Sequence, residues 1–197
     1  MKQNKNTYIG FSHAQYLMRA KVFTIMNKWS IYDPNNKEVF FCKQKFSLKT
    51  DIHIYTDKSM SEEVLIAKTK EIIDFSATYD IIDPKTNTKI GAVKRKGWKS
   101  LLKDEWIIMD KENIEIGFVK EDNMAMALLR QFLPGWLLPK KFLLSVGGTQ
   151  VGFFQKHRNP FVWKTTLDFS QDTANLLDRR MGIAIALLLC GVGERED

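Results

Sequence analysis

The stretch that decides the fold is residues 178–197, DRRMGIAIALLLCGVGERED. Residues 181–190 run without a polar side chain between Arg179–Arg180 and a charged tail. A helix rises about 1.5 Å per residue, so about ten residues reach roughly 15 Å, half of a hydrocarbon layer about 30 Å thick. Extending the segment back to Leu176 would carry Asp178, Arg179 and Arg180 into that layer, at a high cost in desolvation. The segment is therefore too short to cross a bilayer alone. A helix that is apolar on every side is equally unsuited to lying on a surface, because it needs cover all round.

The preceding sequence supplies the cover. Residues 21–45, KVFTIMNKWSIYDPNNKEVFFCKQK, read as two β-rich runs about an Asp-Pro-Asn-Asn turn. The pattern returns in ATYDIIDPKTNTKIGAVKRK (77–96), in EWIIMDKENIEIGFVKED (105–122, turning at 110–113) and in KFLLSVGGTQVGFFQKH (141–157, turning at Gly147-Gly148). Residues 50–70 are strand-like on both sides of a longer polar loop. Ile90-Gly91, Ile116-Gly117 and Val151-Gly152 recur in the returning strands, where glycine marks a bulge or a close backbone approach. About eleven or twelve short antiparallel strands are too many for a flat sheet. Closed into a barrel of about a dozen strands, they enclose a lumen wide enough for a helix, since about eight strands already pack solid.

The expected fold is thus mainly β: a closed antiparallel barrel of about twelve strands with a hydrophobic C-terminal helix through its centre. The expected divisions are an N-terminal extension (1–15), one barrel domain (16–191) including a core helix over 172–190, and a charged tail (192–197). Ser170 or Asp172 is the expected helix cap, and Gly191 the expected stop. A second, short helix is expected from Asp122 or Asn123 to the residue before Pro134.

The repeated strand, Asp-containing turn and Ile-Gly strand of residues 31–45 and 81–122 resembles the LURP-one-related and phospholipid scramblase-like members of the tubby C-terminal-like superfamily. LDRRMGIAIALLLCG (177–191) resembles their closing helix, and the similarity runs from about Tyr16 to Gly191. The resemblance implies a barrel threaded by its C-terminal helix. Tubby domains bind membrane phosphoinositides through basic surface residues, scramblases are associated with calcium-dependent lipid movement, and the LURP-one-related members largely lack an assigned biochemical activity. The chain most resembles that last group.

Composition bears on function through charge. The 197 residues carry a net charge of +7, which favours anionic partners and also simple solubility. The densest basic clusters are Lys94-Arg95-Lys96 with Lys99 and Lys103, then Lys140-Lys141, then Lys156-His157-Arg158. Lys94, Arg95, Lys96, Lys99, Lys103, Lys140 and Lys141 are the candidate contacts to anionic lipid head groups, with Trp98 and Trp106 nearby to sit at an interface. The competing reading is a solvated outer face with lysines guarding strand ends, because no tubby phosphoinositide motif carries over residue by residue. Residues 124–141, MAMALLRQFLPGWLLPKK, offer an interfacial segment with a basic rim, but Pro134 and Gly135 favour a closure of the barrel mouth.

Catalytic signatures are missing, and the expected role is non-catalytic, without cofactor or metal. His13, His53 and His157 lack metal-ligand spacing. Gly147-Gly148 is followed by no lysine-serine pair, so it is not a phosphate loop. Asp104 and Glu105, adjacent at a strand start, face opposite ways. Asp168, Ser170 and Asp172 have the alternate spacing of calcium ligands, but Thr173 and Arg179 stand where an EF-type loop needs Gly and Glu. Cys42 and Cys190, far apart and in apolar runs, read as two buried thiols in a reducing compartment. With no secretory signal at residues 1–16, the expected location is the cytoplasm, peripheral at the membrane. The partner is an anionic membrane surface or, alternatively, another protein. Nucleic acid ranks lower, for want of a recognition helix or stacking sheet.

Overall fold

The computed structural model describes residues 8–21, 28–45, 51–73, 76–96, 105–122, 140–157 and 162–193. Among these, twelve strands form a closed antiparallel barrel in simple chain order. They are β1 (Gln15–Lys21), β2 (Lys28–Tyr32), β3 (Glu38–Lys45), β4 (Asp51–Tyr55), β5 (Glu63–Ile73) and β6 (Ser76–Asp83). The wall continues with β7 (Thr88–Arg95), β8 (Glu105–Met109), β9 (Glu115–Glu121), β10 (Lys141–Val146), β11 (Thr149–His157) and β12 (Val162–Asp168). β12 closes the ring on β1, with Gln15 opposite Asp168 and Lys21 opposite Val162. A single helix, α1 (Arg179–Gly193), follows. The expected short helix over residues 123–133 lies outside the described residues.

Up-and-down order gives the barrel two different ends. At one, the turn end, the hairpins reverse through residues 33–37, 56–62, 84–87, 110–114 and 147–148. At the other, the far end, the strands begin or finish at Lys21, Lys28, Lys45, Asp51, Ile73, Ser76, Arg95, Glu105, Glu121, Lys141, His157 and Val162.

Four of these five turns share one chemistry, the exception being Gly147-Gly148. Asp33 Oδ1 accepts from the N–H groups of Asn35 and Lys37, at 2.9 and 2.8 Å. Asp110 Oδ1 does the same for Glu112 and Ile114, at 3.0 and 2.8 Å. The fourth residue of each, Asn36 or Asn113, takes a left-handed φ of 61° or 68°, which asparagine tolerates better than most side chains. Asp83 accepts from Lys85 and Thr86 in the same way.

Just past each turn the returning strand holds one extra residue. Register skips Val39, Val64, Ile90, Ile116 and Val151, so five hairpins carry a bulge at the same level. Val64 and Val151 are buried, and Val39, Ile90 and Ile116 pack partly against the core. Two consecutive side chains therefore turn toward the interior, and in three hairpins the second of them is glycine. A Cβ on Gly117 would lie 2.1 Å from the carbonyl oxygen of Ser145, and one on Gly152 would lie 2.3 Å from that of Asp168. The neighbouring strand approaches too closely for any side chain.

Inward positions alternate along each strand and carry Tyr16, Met18, Phe40, Ile54, Trp106, Phe142 and Phe154, all buried. Residues 181–191 of α1 are buried without exception. The helix meets three arcs of the wall. Near its start Arg180 pairs with Asp83 at 3.2 Å, and the Met181 sulfur lies 2.9 Å from where a Cβ on Gly91 would be. At its far end Cys190 Sγ lies 3.4 Å from Thr165 Oγ1, Lys156 Nζ donates to the carbonyl of Leu189 at 2.9 Å, and Gly191 sits against Trp29 and Gln44.

The helix bounds differ from expectation. Neither Ser170 nor Asp172 caps it. Residues 172–175 form another Asp-x-x-Asn turn: Asp172 Oδ1 accepts from Leu176 N–H at 2.7 Å, and Asn175 has φ 51°. Asp178 opens the helix instead, its carboxylate accepting from Arg180 N–H at 2.9 Å. Gly191 does not stop it, and the helix continues to Gly193. The same turn chemistry that closes the hairpins outcompetes helix propensity over residues 172–175.

Candidate functional site

Alternation along the strands sorts the basic candidates. On β7 the inward series is Gly91, Val93, Arg95, so Lys94 and Lys96 face out while Arg95 faces in. The Arg95 guanidinium lies 5.9 Å from the Trp106 ring centroid. Lys94-Arg95-Lys96 is therefore not one patch. Trp106 is only 2% exposed and belongs to the core, not to an interface. Lys99, Lys103 and Trp98 lie outside the described residues, as do Arg158 and residues 124–139 of the interfacial candidate.

On the outer face Lys96 donates to Glu105 at 2.9 Å, and Lys120 approaches the same carboxylate at 3.5 Å. The Lys96 hydrogen bond, with the nearby charge of Lys120, holds the Glu105 carboxyl below its ordinary value. Lys141 begins β10, Lys140 immediately precedes it, and both are half-buried. The Lys140 carbonyl accepts from Lys156 N–H at 2.8 Å, and the Lys141 ammonium sits 4.6 Å above Phe153. Lys156 faces inward, 6.0 Å from the Phe142 ring, with its charge against the carbonyl end of α1.

All five described candidates, Lys94, Arg95, Lys96, Lys140 and Lys141, lie at the far end of the barrel. Lys28, Lys43, Lys120, Lys156 and Lys164 join them there, against Asp51, Glu105, Glu121 and Asp122. Local density in the sequence missed Lys28, Lys43, Lys120 and Lys164, because none has a basic residue directly beside it. The signal that finds them is position in the hairpin repeat: a lysine at the strand end remote from the turn, or within two residues of it.

The turn end has the opposite sign. Asp33, Asp57, Asp83, Asp110, Asp168, Asp172 and Asp178 gather there with Glu38, Glu62, Glu63, Glu112 and Glu115, and outnumber Lys37, Lys58, Lys85, Lys89, Lys111, Arg179 and Arg180. The alternately spaced Asp168, Ser170 and Asp172 are spent on structure. Asp168 accepts from Ser170 N–H and Oγ and from Gln15, and although burial raises its pKa these bonds bring it to a net lowered value. The fully buried Asp172 carboxylate accepts from Leu176, Leu177 and, at 2.6 Å, Arg179. The exposed large apolar side chains of the described residues, Ile9, Met60, Ile114 and Leu176, are also at this end.

The histidines stand apart. His53 Nδ1 pairs with Glu63 on the outer wall, His157 Nε2 meets Thr166 at 2.9 Å, and His13 stacks edge-on against Tyr16. Among the described residues no group of three or more His, Cys, Asp or Glu is arranged to hold a metal ion, and no helix is long and apolar enough to cross a membrane. Cys42 and Cys190 are both buried thiols, and burial pushes the Cys42 pKa up. Comparison of the chain with protein-family models, with curated proteins and with solved structures finds no match.

Proposed function

We propose that the chain is a non-catalytic, tubby-like and LURP-one-related barrel domain, threaded by α1, which binds anionic phospholipid head groups at the cytoplasmic membrane surface. The observation that carries the reading is the gathering of every described basic candidate at one end of the barrel, where outward lysines can meet phosphate without a dedicated pocket. Threading is supported by the burial of residues 181–191 and by contacts to three separate arcs of wall. Co-sedimentation with vesicles tests the reading. Binding should rise with the phosphatidylserine or phosphoinositide fraction and fall with salt, since exposed charges are screened over about 8 Å at physiological ionic strength. Equal partition onto neutral and anionic vesicles at low salt would remove it.

The competing reading is a protein-interaction domain without a lipid ligand. The exposed Ile9, Met60, Ile114 and Leu176 at the turn end favour it. A protein complex that survives detergent and is lost on Ile114→Asp would support this reading over the first.

A further inference from the structure

We propose that the barrel is electrically bipolar along its axis, and that this polarity stands it end-on upon an anionic bilayer with the far end down. The inference rests on the anionic-lipid reading and adds an orientation to it. The polarity is built by two of the hairpins. β2–β3 has Asp33 and Glu38 against Lys37 near its tip, with Lys28 and Lys43 toward its base; β6–β7 has Asp83 against Lys85 at its tip, with Lys94, Arg95 and Lys96 at its base; in β8–β9 the acidic tip, Asp110 and Glu112 against Lys111, faces a base where Glu105 and Glu121 offset Lys120. Closing such hairpins side by side into one ring aligns their charge separations, so they add. Helix α1 runs the complementary way. Its positive N-terminus lies among Asp83 and Asp178, and its negative C-terminus meets Lys156.

Length then decides the orientation. Strands of seven or eight residues span about 25 Å, or about 20 Å along the axis once tilted. That is more than two screening lengths at physiological salt, about 8 Å each. Standing on its far end, the barrel keeps its lysines within reach of the surface and its turn-end carboxylates outside the repulsive field. Lying on its side, it would bring both signs within one screening length and lose most of the attraction.

Two double variants with the same change in net charge test this. Lys94→Glu with Lys141→Glu reverses the far end; Lys85→Glu with Lys111→Glu reverses exposed lysines at the turn end. Thermal melts first establish that both remain folded. On phosphatidylserine vesicles at physiological salt, the far-end pair should lose at least about tenfold in apparent affinity and the turn-end pair less than about threefold. Equal losses would overturn the orientation while leaving lipid binding standing. No binding by the unaltered protein would overturn the lipid reading itself. Tighter binding to single-stranded RNA than to vesicles at equal phosphate would overturn the bilayer as the partner.

Discussion

The two ends of the barrel solve different problems with the same hairpin. At the turn end, carboxylates are consumed by structure: each aspartate ties down the backbone N–H groups of its own turn, and Asp172 is fully buried against Arg179. At the far end, charge is mostly presented outward, and the ion pairs there, Lys96–Glu105 and Lys120–Glu105, are half-exposed and weak. The difference teaches that charge density alone does not mark a binding surface. What matters is whether the backbone has already claimed the charge.

The largest expected effect joins both ends. Ile185 is wholly buried near the middle of α1, so Ile185→Asp places an unpaired carboxylate in the core. The cost should exceed about 4 kcal/mol, comparable to the whole stability of a domain, and the variant should show no cooperative melt by circular dichroism. A folded variant would break the view that the wall depends on the helix. Next comes the turn end. Asp172→Ala strands Arg179 and two backbone donors, and chemical denaturation should report a loss of about 3–5 kcal/mol.

Gly117→Ala drives a methyl group against the Ser145 carbonyl and should cost about 1–3 kcal/mol by the same measurement. At the far end the losses should be smaller. Lys156→Met keeps the side-chain stem but removes the charge facing the Leu189 carbonyl, for about 1 kcal/mol or less. If it cost as much as Asp172→Ala, the contrast between a structural end and a presenting end would fail.

The smallest effect is one of pH. Glu105 has a lowered folded-state pKa, so its contribution is present above the unfolded carboxylate range and is lost as pH falls through the folded value. Glu105→Gln should therefore flatten the acid limb of the melting temperature slightly, with little change in its shape near pH 7. An unchanged acid limb would mean that the Lys96 contact has no thermodynamic weight in solution.

Much of this architecture was legible because it is local. Asp-Pro-Asn-Asn, Asp-Lys-Glu-Asn and the Ile-Gly pairs announce hairpins by turn chemistry, and their repetition announces a closed wall. Asp172 to Asn175 misled for the same reason: an aspartate before apolar residues reads as a helix cap, whereas here its carboxylate closes a turn with Asn175 left-handed. The basic cluster at residues 94–96 misled differently. Adjacent lysines look like one patch until the pleat sends Arg95 inward beside Trp106.

By itself, then, the sequence determined the hairpins, the closed wall they imply and a C-terminal helix too apolar to leave uncovered, because hydrogen-bonding turns and hydrophobic period act over a few residues. Only the tertiary structure decided that isolated lysines from distant hairpins share one end and the aspartates the other. That sorting depends on strand direction and on closure of β12 onto β1, which no local stretch of chain encodes.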